Sequence, residues 1–299
     1  VETRIYKSSE LSKSILQTCT EEAADFLREQ GRKPCLAVVL VGEDPASGIY
    51  VKKKEETCRR AGIEAIDFRL SPSEGFARLE NLVHELNARA NVDGILVQSP
   101  LPKGWDERKI QAAISPEKDV DGFHPENAGR LLIDAALELK TGLPPCTPAG
   151  VMEILHAAGI SVAGKNAVVL GRSTIVGKPM AMMLLAADAT VTVCHSRTAN
   201  LAEICASADI LVAAIGKARF VKAEHVKPGA ILIDVGINRE LVGGKKKVVG
   251  DIDASAVSGR AGFLTPVPNG VGPMTIAMLL RNTLRAARQR AAATHNAKQ

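Results

Sequence analysis

The sequence predicts an α/β protein made of two parallel-sheet domains, and three observations carry that expectation. Strand-length apolar runs alternate with helical patterns, the alternation is interrupted once and then restarts, and 299 residues suit about two domains of roughly 100–200 residues each. Apolar residues at 46% and charged residues at 24% are ordinary globular usage, so the chain can bury cores and need not be disordered.

The first element is a helix. Leu11, Ile15, Leu16, Cys19, Ala23, Phe26 and Leu27 recur at helical spacing, with Ser8 and Ser9 as caps and Gly31 as a stop. Residues 35–41 form an apolar, β-branched run of strand length, and 46–61 read as a helix stopped by Gly62. A strand over 63–70, a helix over 74–89 and a strand over 94–98 complete a βαβαβ pattern. Pro100, Pro102, Pro116 and Pro125 then punctuate the chain, and the junction is placed near 143–146. Thr147-Pro148 is an N-cap and N1 pair for a helix through His156. Strands follow at 167–170, 190–194, 210–214 and 230–235, with helices at 176–187 and 201–207. Gly272-Pro273 opens a last helix to about Ala292, whose Arg281, Arg285, Arg288 and Arg290 read as a solvated face.

Composition excludes several classes. Aromatic residues at 3% speak against a surface that stacks nucleic-acid bases, and the scattered excess of 38 Lys and Arg over 33 Asp and Glu suits small anionic ligands better than a polyanion. No apolar run reaches membrane-span length, and residues 1–17 carry no signal-peptide core, so neither membrane nor secretion is expected. The six cysteines form no C-x-x-C and no zinc spacing, and read as reduced thiols, mostly buried, in a cytoplasmic setting.

The most informative local feature is Val168-Val-Leu-Gly171-Arg-Ser-Thr-Ile-Val-Gly177-Lys-Pro179, a strand entering a glycine turn and a helix. Such a turn directs backbone N–H groups and a helix N-terminus at a phosphate. A P-loop lacks its hydroxyl because Pro179 follows Lys178, a nucleophile elbow lacks glycine at Ile175, and the dinucleotide fingerprint fits loosely, with Ser173 for its middle glycine. On its own the turn serves a phosphate or is structural. The next strand ends about 25 positions on in His195-Ser196-Arg197-Thr198, without the carboxylate that receives a free ribose 2′-OH. A hydroxyl and two cations favour a 2′-phosphate, hence NADP over NAD, against the plainer reading of a solvated loop. Tyr50 and Lys54 share a helix face, although a run of three lysines is by itself a solvated face. Gln98 lies just past a parallel strand's carboxyl end, where α/β sheets bind ligands. A calcium loop at Asp119-Val-Asp121-Gly122 is rejected, since His124 and Arg130 occupy its glycine and glutamate positions, which leaves turn formation for both aspartates.

Taken in order, Tyr50-x-x-x-Lys54, Gly94-Ile-Leu-Val-Gln98-x-Pro-Leu-Pro102, Pro116-Glu-Lys-Asp-Val-Asp121-Gly122, Pro145-Cys-Thr-Pro148, Gly171-Arg-Ser173 through Gly177-x-Pro179, and Pro268-Asn-Gly-Val-Gly-Pro-Met-Thr275 resemble the bifunctional methylenetetrahydrofolate dehydrogenase/cyclohydrolase family over essentially the whole chain. The resemblance implies a folate-binding catalytic domain, 1–142 plus 273–299, and a Rossmann-like NADP-binding domain, 143–272, with the active site in the cleft between them. It implies Tyr50, Lys54, Gln98 and Asp121 as catalytic residues. Ser99, Pro100 and Leu101, with Gly270, Val271, Gly272, Pro273 and Thr275, would join Tyr50, Gln98 and Asp121 in binding folate. Gly171, Arg172, Ser173, Ser196, Arg197 and Ile237 would bind the cofactor NADP; no metal is implied. The implied partner is a small folate substrate, with neither nucleic acid nor membrane, and a homodimer by family habit, with a monomer left open. Ser99 replaces the family's usual leucine, Asn269 its first loop glycine, Glu55 a common basic residue and Ala218 a frequent proline. Asn tolerates the left-handed backbone, so Asn269 is expected to preserve the turn.

The implied chemistry is hydride transfer from 5,10-methylenetetrahydrofolate to NADP+, which needs orientation more than an acid or base, and then hydrolysis of the methenyl cation to the 10-formyl product, which needs proton transfers. Lys54 is the candidate for these, on condition that burial, the cationic substrate and a neutral Gln98 lower its pKa from about 10.4. A dehydrogenase lacking the hydrolytic step, or a nucleotide sensor without catalysis, are the alternatives. The joint presence of Tyr50, Lys54 and Gln98 argues against both.

Overall fold

The computed structural model describes residues 2–43, 45–133, 142–242 and 245–296. In chain order the elements are β1 (Arg4–Ile5), α1 (Ser9–Gln30), β2 (Cys35–Val41), α2 (Pro45–Arg60), β3 (Glu64–Leu70), α3 (Phe76–Ala88), β4 (Gly94–Val97), α4 (Glu107–Ala113), α5 (Pro125–Ile133) and α6 (Cys146–Ala157). There follow β5 (Asn166–Leu170), α7 (Gly177–Ala186), β6 (Thr190–Cys194), α8 (Leu201–Ala206), β7 (Ile210–Ala213), β8 (Ile231–Asp234), β9 (Asn238–Val242), β10 (Lys245–Val249), α9 (Ala254–Val257), β11 (Phe263–Leu264) and α10 (Gly272–Asn296). The chain divides into two compact units, one of Val1–Lys13, Leu131–Glu138 and Thr147–Thr275, the other of Ser14–Arg130, Leu139–Cys146 and Ile276–Gln299.

The unit that holds Ser14–Arg130 has a parallel sheet in the order β3-β2-β4. All seven residues of β2 are buried, as a central strand covered on both faces requires. Leu79, Leu82, Val83 and Leu86 of α3 recur at helical spacing and pack with Val39, Ile95 and Ile110. From β2 the chain crosses to β3 on one side and returns to β4 on the other, so the order reverses between β2 and β4, and a crevice opens at their carboxyl ends. The buried Lys118 closes α3: its ammonium donates to the carbonyls of Leu86, Asn87 and Arg89 at 3.1, 2.7 and 2.8 Å, which satisfies carbonyls a helix end leaves open.

The last helix contradicts its expected solvated face, because of its arginines only Arg288 is exposed. Arg290 donates to Asp93 at 2.9 Å, and Arg32 grips the same carboxylate with two bonds at 2.6 and 2.8 Å. Asp93 is fully buried and also accepts from the Cys35 N–H at 3.0 Å, so a core carboxylate rather than solvent claims this arginine. Asn282, about two turns earlier, donates to the carbonyls of Val120 and Pro144, both at 2.8 Å.

The other unit has a six-stranded parallel sheet in the order β1-β11-β8-β7-β5-β6. Here the order reverses between β5 and β7, and Gly171 and Ala214 follow these two strands. The alternation of strands and helices was readable, but the two-residue strands β1 and β11 are too short to show a pattern. The antiparallel hairpin of β9 and β10 was also unforeseen, since its charged strands lack apolar alternation. Two expected caps are corrected as well. The Ser8 hydroxyl donates to the Gly270 carbonyl instead of capping α1. Helix α6 starts at Cys146, two residues before the expected Pro148, and the Thr147 hydroxyl meets that of Thr275 at 3.0 Å.

Candidate active site

In the first crevice, α2 leaves the end of β2 and presents Tyr50 and Lys54 four residues apart on one face. The loop after β4 starts at Gln98, whose N–H still bonds Val39 in the neighbouring strand at 2.8 Å. The Lys54 ammonium nitrogen donates to Gln98 Oε1 at 3.1 Å and lies 4.8 Å from the Tyr50 ring centroid. Only 5% of Lys54 is exposed, which overturns the solvated-face reading of the lysine run at this position. Gln98 Nε2 donates to the Ser99 carbonyl at 2.7 Å, so its oxygen is left to face the lysine.

Asp121 is within electrostatic reach of Lys54. Burial pushes its carboxyl up to about 6, Lys54 draws it down, and Asp119 raises it further. The neighbouring Asp119 holds the turn instead, since its buried carboxylate accepts from the His124 N–H at 2.7 Å and from Asn127 at 2.9 Å. Gly122 sits at φ +75°, where a Cβ would come within 2.5 Å of the Pro144–Pro145 backbone. A small cavity lies beside these residues, lined by Ser99, Leu101 and Asp121 together with Ile95, Glu107 and Phe123.

In the second crevice the turn after β5 is built on close approach. A Cβ on Gly171, at φ +127°, would lie 2.2 Å from the Ala214 carbonyl oxygen, and one on Gly177 would lie 2.3 Å from the Gly171 oxygen. Ser173 Oγ accepts the Val176 and Gly177 N–H groups, both at 3.2 Å, and caps the first turn of α7. Strand, tight glycine turn and helix N-terminus are the parts that receive a dinucleotide pyrophosphate, so the residues present fit that group. After β6, Thr198 Oγ1 accepts the His195 N–H at 2.9 Å, and His195 Nδ1 accepts the Arg197 N–H at 3.2 Å. That turn leaves Ser196 and Arg197 exposed, as is Arg172. Ile237 is 63% exposed beyond the end of β8. Gly171→Ala is expected to cost about 1–3 kcal/mol in backbone strain alone, measured as a lowered denaturant midpoint together with weaker dinucleotide binding.

Sequence reading missed what holds these loops. The buried Asp251 accepts the N–H groups of Ile215, Gly216 and Lys217 at 2.7, 3.0 and 2.9 Å and the Asn238 amide at 2.9 Å. The buried Asp234, its carboxyl raised by burial to about 7, accepts from Gly236, Asp251 and Ile252 at 3.1, 2.9 and 2.9 Å. The glycines that flank them were the only available signal, since side chains there would collide with the two carboxylates. The 270–275 loop is held from α1: the Ser8 N–H donates to Asn269 at 3.0 Å, and the Ser12 hydroxyl to Pro273 at 3.1 Å. Asn269 adopts φ +76°, the left-handed turn expected of it. Thus Tyr50, Lys54 and Gln98 touch, Asp121 stands near them, and the predicted cofactor residues gather at the carboxyl ends of the other sheet.

Comparison with known proteins matches residues 7–121 to the tetrahydrofolate dehydrogenase/cyclohydrolase catalytic domain and residues 145–291 to the NAD(P)-binding domain of the same enzymes. The chain belongs to the tetrahydrofolate dehydrogenase/cyclohydrolase family. Among family members, the bifunctional protein FolD of Acetivibrio thermocellus is 50% identical over 97% of this chain and 99% of its own length. The crystal structure of the bifunctional FolD methylenetetrahydrofolate dehydrogenase/cyclohydrolase from Campylobacter jejuni superposes with a TM-score of 0.89 at 44% identity, over 95% of this chain and 98% of that one. The Trypanosoma brucei dehydrogenase-cyclohydrolase, complexed with NADP and an inhibitor, gives a TM-score of 0.91 at 36% identity, over 97% and 98% of the two chains.

Proposed function

We propose that Lys54, Tyr50, Gln98 and Asp121 form the folate-handling centre of this chain. The observation that carries the reading is the buried Lys54 ammonium, set against a neutral amide and an aromatic ring rather than a carboxylate. The protein is a bifunctional enzyme of one-carbon metabolism. It oxidises 5,10-methylenetetrahydrofolate to the methenyl form with NADP+ and hydrolyses that product to 10-formyltetrahydrofolate.

In the first reaction a bound dinucleotide would supply the acceptor for the hydride that leaves the carbon between N5 and N10. Gly171, Arg172 and Ser173 would hold its pyrophosphate end, Ser196 and Arg197 its 2′-phosphate, and Ile237 its nicotinamide side. Asp121 takes the amino-pyrimidine edge of the pterin, Tyr50 packs near it, and Ser99, Pro100 and Leu101 line its place. Gly270, Val271, Gly272, Pro273 and Thr275 border the folate. No acid or base is needed, so these residues contribute orientation.

In the second reaction water adds to the cationic carbon. Lys54, acting in its amine form, receives one proton from that water. The carbinol hydroxyl then gives up the other as the formyl C=O forms and the carbon–N5 bond breaks, N5 takes up one proton, and one of the water's two protons is released overall. Gln98 holds the Lys54 nitrogen in place without neutralising it. The functional domains are 1–142 with 273–299 for folate and 143–272 for NADP. Grouping of Ile276–Gln299 with Ser14–Arg130 supports the return of the last helix to the folate domain. The reading includes a homodimer, no nucleic-acid or membrane partner, and a cytoplasmic setting. The six buried, free cysteines suit a reducing compartment, and among the described residues no helix is long and apolar enough to cross a membrane.

The test is spectroscopic: with methylenetetrahydrofolate, NADP+ should yield NADPH absorbance and NAD+ should serve poorly. No turnover with either dinucleotide would defeat the reading. A pH profile tests Asp121 separately. Burial pushes its carboxyl up to about 6, so the pterin-gripping carboxylate is expected to form as pH rises through that value. Dehydrogenase kcat/KM for the folate is therefore expected to fall below about pH 6 and level off above it, and Asp121→Asn should flatten that limb at a low value.

A further inference from the structure

The carboxylate of Glu107 spends both oxygens on the loop that follows Gln98. Oε1 accepts the Leu101 N–H at 2.7 Å, and Oε2 accepts the Ser99 hydroxyl at 3.3 Å. Helix capping does not explain this. Asp106 already caps α4, accepting the N–H groups of Arg108 and Lys109 at 3.0 and 3.3 Å, and Lys109 pairs with Glu80 at 2.9 Å. Glu107 is thus turned away from its own helix, and it lines the same cavity as Ser99 and Asp121.

Beyond Ser99 the bonds continue without a break. The Ser99 carbonyl takes Gln98 Nε2 at 2.7 Å, and this fixes which end of the amide faces Lys54, whose nitrogen donates to Oε1 at 3.1 Å. An amide rotated by half a turn would aim N–H groups at an ammonium and leave the lysine without its acceptor. We infer that Glu107 is a positioning residue for the hydrolytic half-reaction: it fixes the Ser99–Leu101 loop, and through the Ser99 carbonyl it sets the amide of Gln98 toward Lys54. The inference rests on the assignment of Lys54 and Gln98 above. Hydrolysis depends on where one amine nitrogen sits, whereas hydride transfer needs only that the ring be seated, so loosening this chain separates the two activities.

The experiment measures both activities of the purified full-length protein, the dehydrogenase by NADPH absorbance and the cyclohydrolase by loss of the methenyl chromophore. In Glu107→Ala the ratio of cyclohydrolase kcat to dehydrogenase kcat is expected to fall about tenfold. Glu107→Gln, which keeps an acceptor for the Leu101 N–H, should restore most of it. In a Gln98→Ala background, Glu107→Ala should change the ratio no further, because the group it acts through is gone. Equal loss of both activities, an unchanged ratio, or the same tenfold fall without Gln98 would each overturn the inference. If Glu107→Ala does not fold, Ser99→Ala removes one of the two links and leaves α4 intact; about a threefold fall in the ratio is then expected, and a wild-type ratio overturns the inference. Lys54→Met, run alongside, separates the two failures. If it retains cyclohydrolase activity, the assignment beneath the inference is wrong; if it is inactive while Glu107→Ala is normal, only the inference is.

Discussion

Lys54→Met is expected to abolish the cyclohydrolase while the enzyme still reduces NADP+ with methylenetetrahydrofolate. A positioned proton-transfer group contributes about 10²–10⁴-fold, so hydrolysis of the methenyl substrate should drop by at least the lower figure. Methionine keeps the length and apolar stem of lysine, so the buried space stays filled. The Tyr50 ring keeps a neighbour, Gln98 Oε1 loses its donor, and Asp121 loses the cation that draws its carboxyl down. Loss of methenyl absorbance measures the first activity and NADPH formation the second. If hydrolysis continued at the wild-type rate, another group would have to move the protons. Gln98→Glu tests the same point from the other side: a carboxylate there would pair with Lys54 and depress hydrolysis, although it keeps an acceptor at the same place.

The largest expected effect on stability is at Asp93. Its carboxylate is fully buried and receives Arg32 twice, Arg290 once and the Cys35 N–H. Removing one member of a buried ion pair strands the charge of the other, a loss of about 3–5 kcal/mol. Asp93→Ala takes the carboxylate from two part-exposed guanidinium groups, which keep carbonyl acceptors on Lys33, Val92 and Ala90, and strands the Cys35 N–H. The lower part of that range is therefore expected, read as a shift in urea midpoint at unchanged m-value. Arg290→Met should cost less, because Arg32 remains with the carboxylate. If the alanine variant unfolded at the wild-type midpoint, the network would be ornamental.

Whatever is written in local periodicity was legible. The helix of 22 residues at Ser9–Gln30 and the buried strand Cys35–Val41 appear in the pattern because one stripe, or a whole strand, must be apolar. The glycine turn at Gly171 was also readable, since only a missing side chain allows such an approach to Ala214. Pairings between distant residues were not. Arg290 looks like any solvated arginine until Asp93, 197 positions away, is beneath it. Lys54 shares its composition with Lys52 and Lys53, and only the end of β4 distinguishes it. Ser99, which departs from the leucine expected at that position, found its complement in Glu107, a helical residue with no motif around it. Asp234 and Asp251 carry no periodicity because they bond mostly backbone N–H groups of loops, with the Asn238 amide beside them on Asp251.

The position of Arg290 also bears on the order in which the protein is assembled during synthesis. Of the side chains that pair with Asp93, Arg32 lies 61 residues before it and Arg290 lies 197 after it. A nascent chain that has passed Val97 can pair β2, β3 and β4, yet it holds Asp93 with one guanidinium until residue 290 has been made. The six-stranded sheet needs nothing later than β11. Although all its strands except β1 come later in the chain than β2, β3 and β4, it can close first, and the unit of the three-stranded sheet is completed last. Chain order and folding order are therefore reversed, and the interval between them is when the earlier sheet is most open to proteolysis or misassembly.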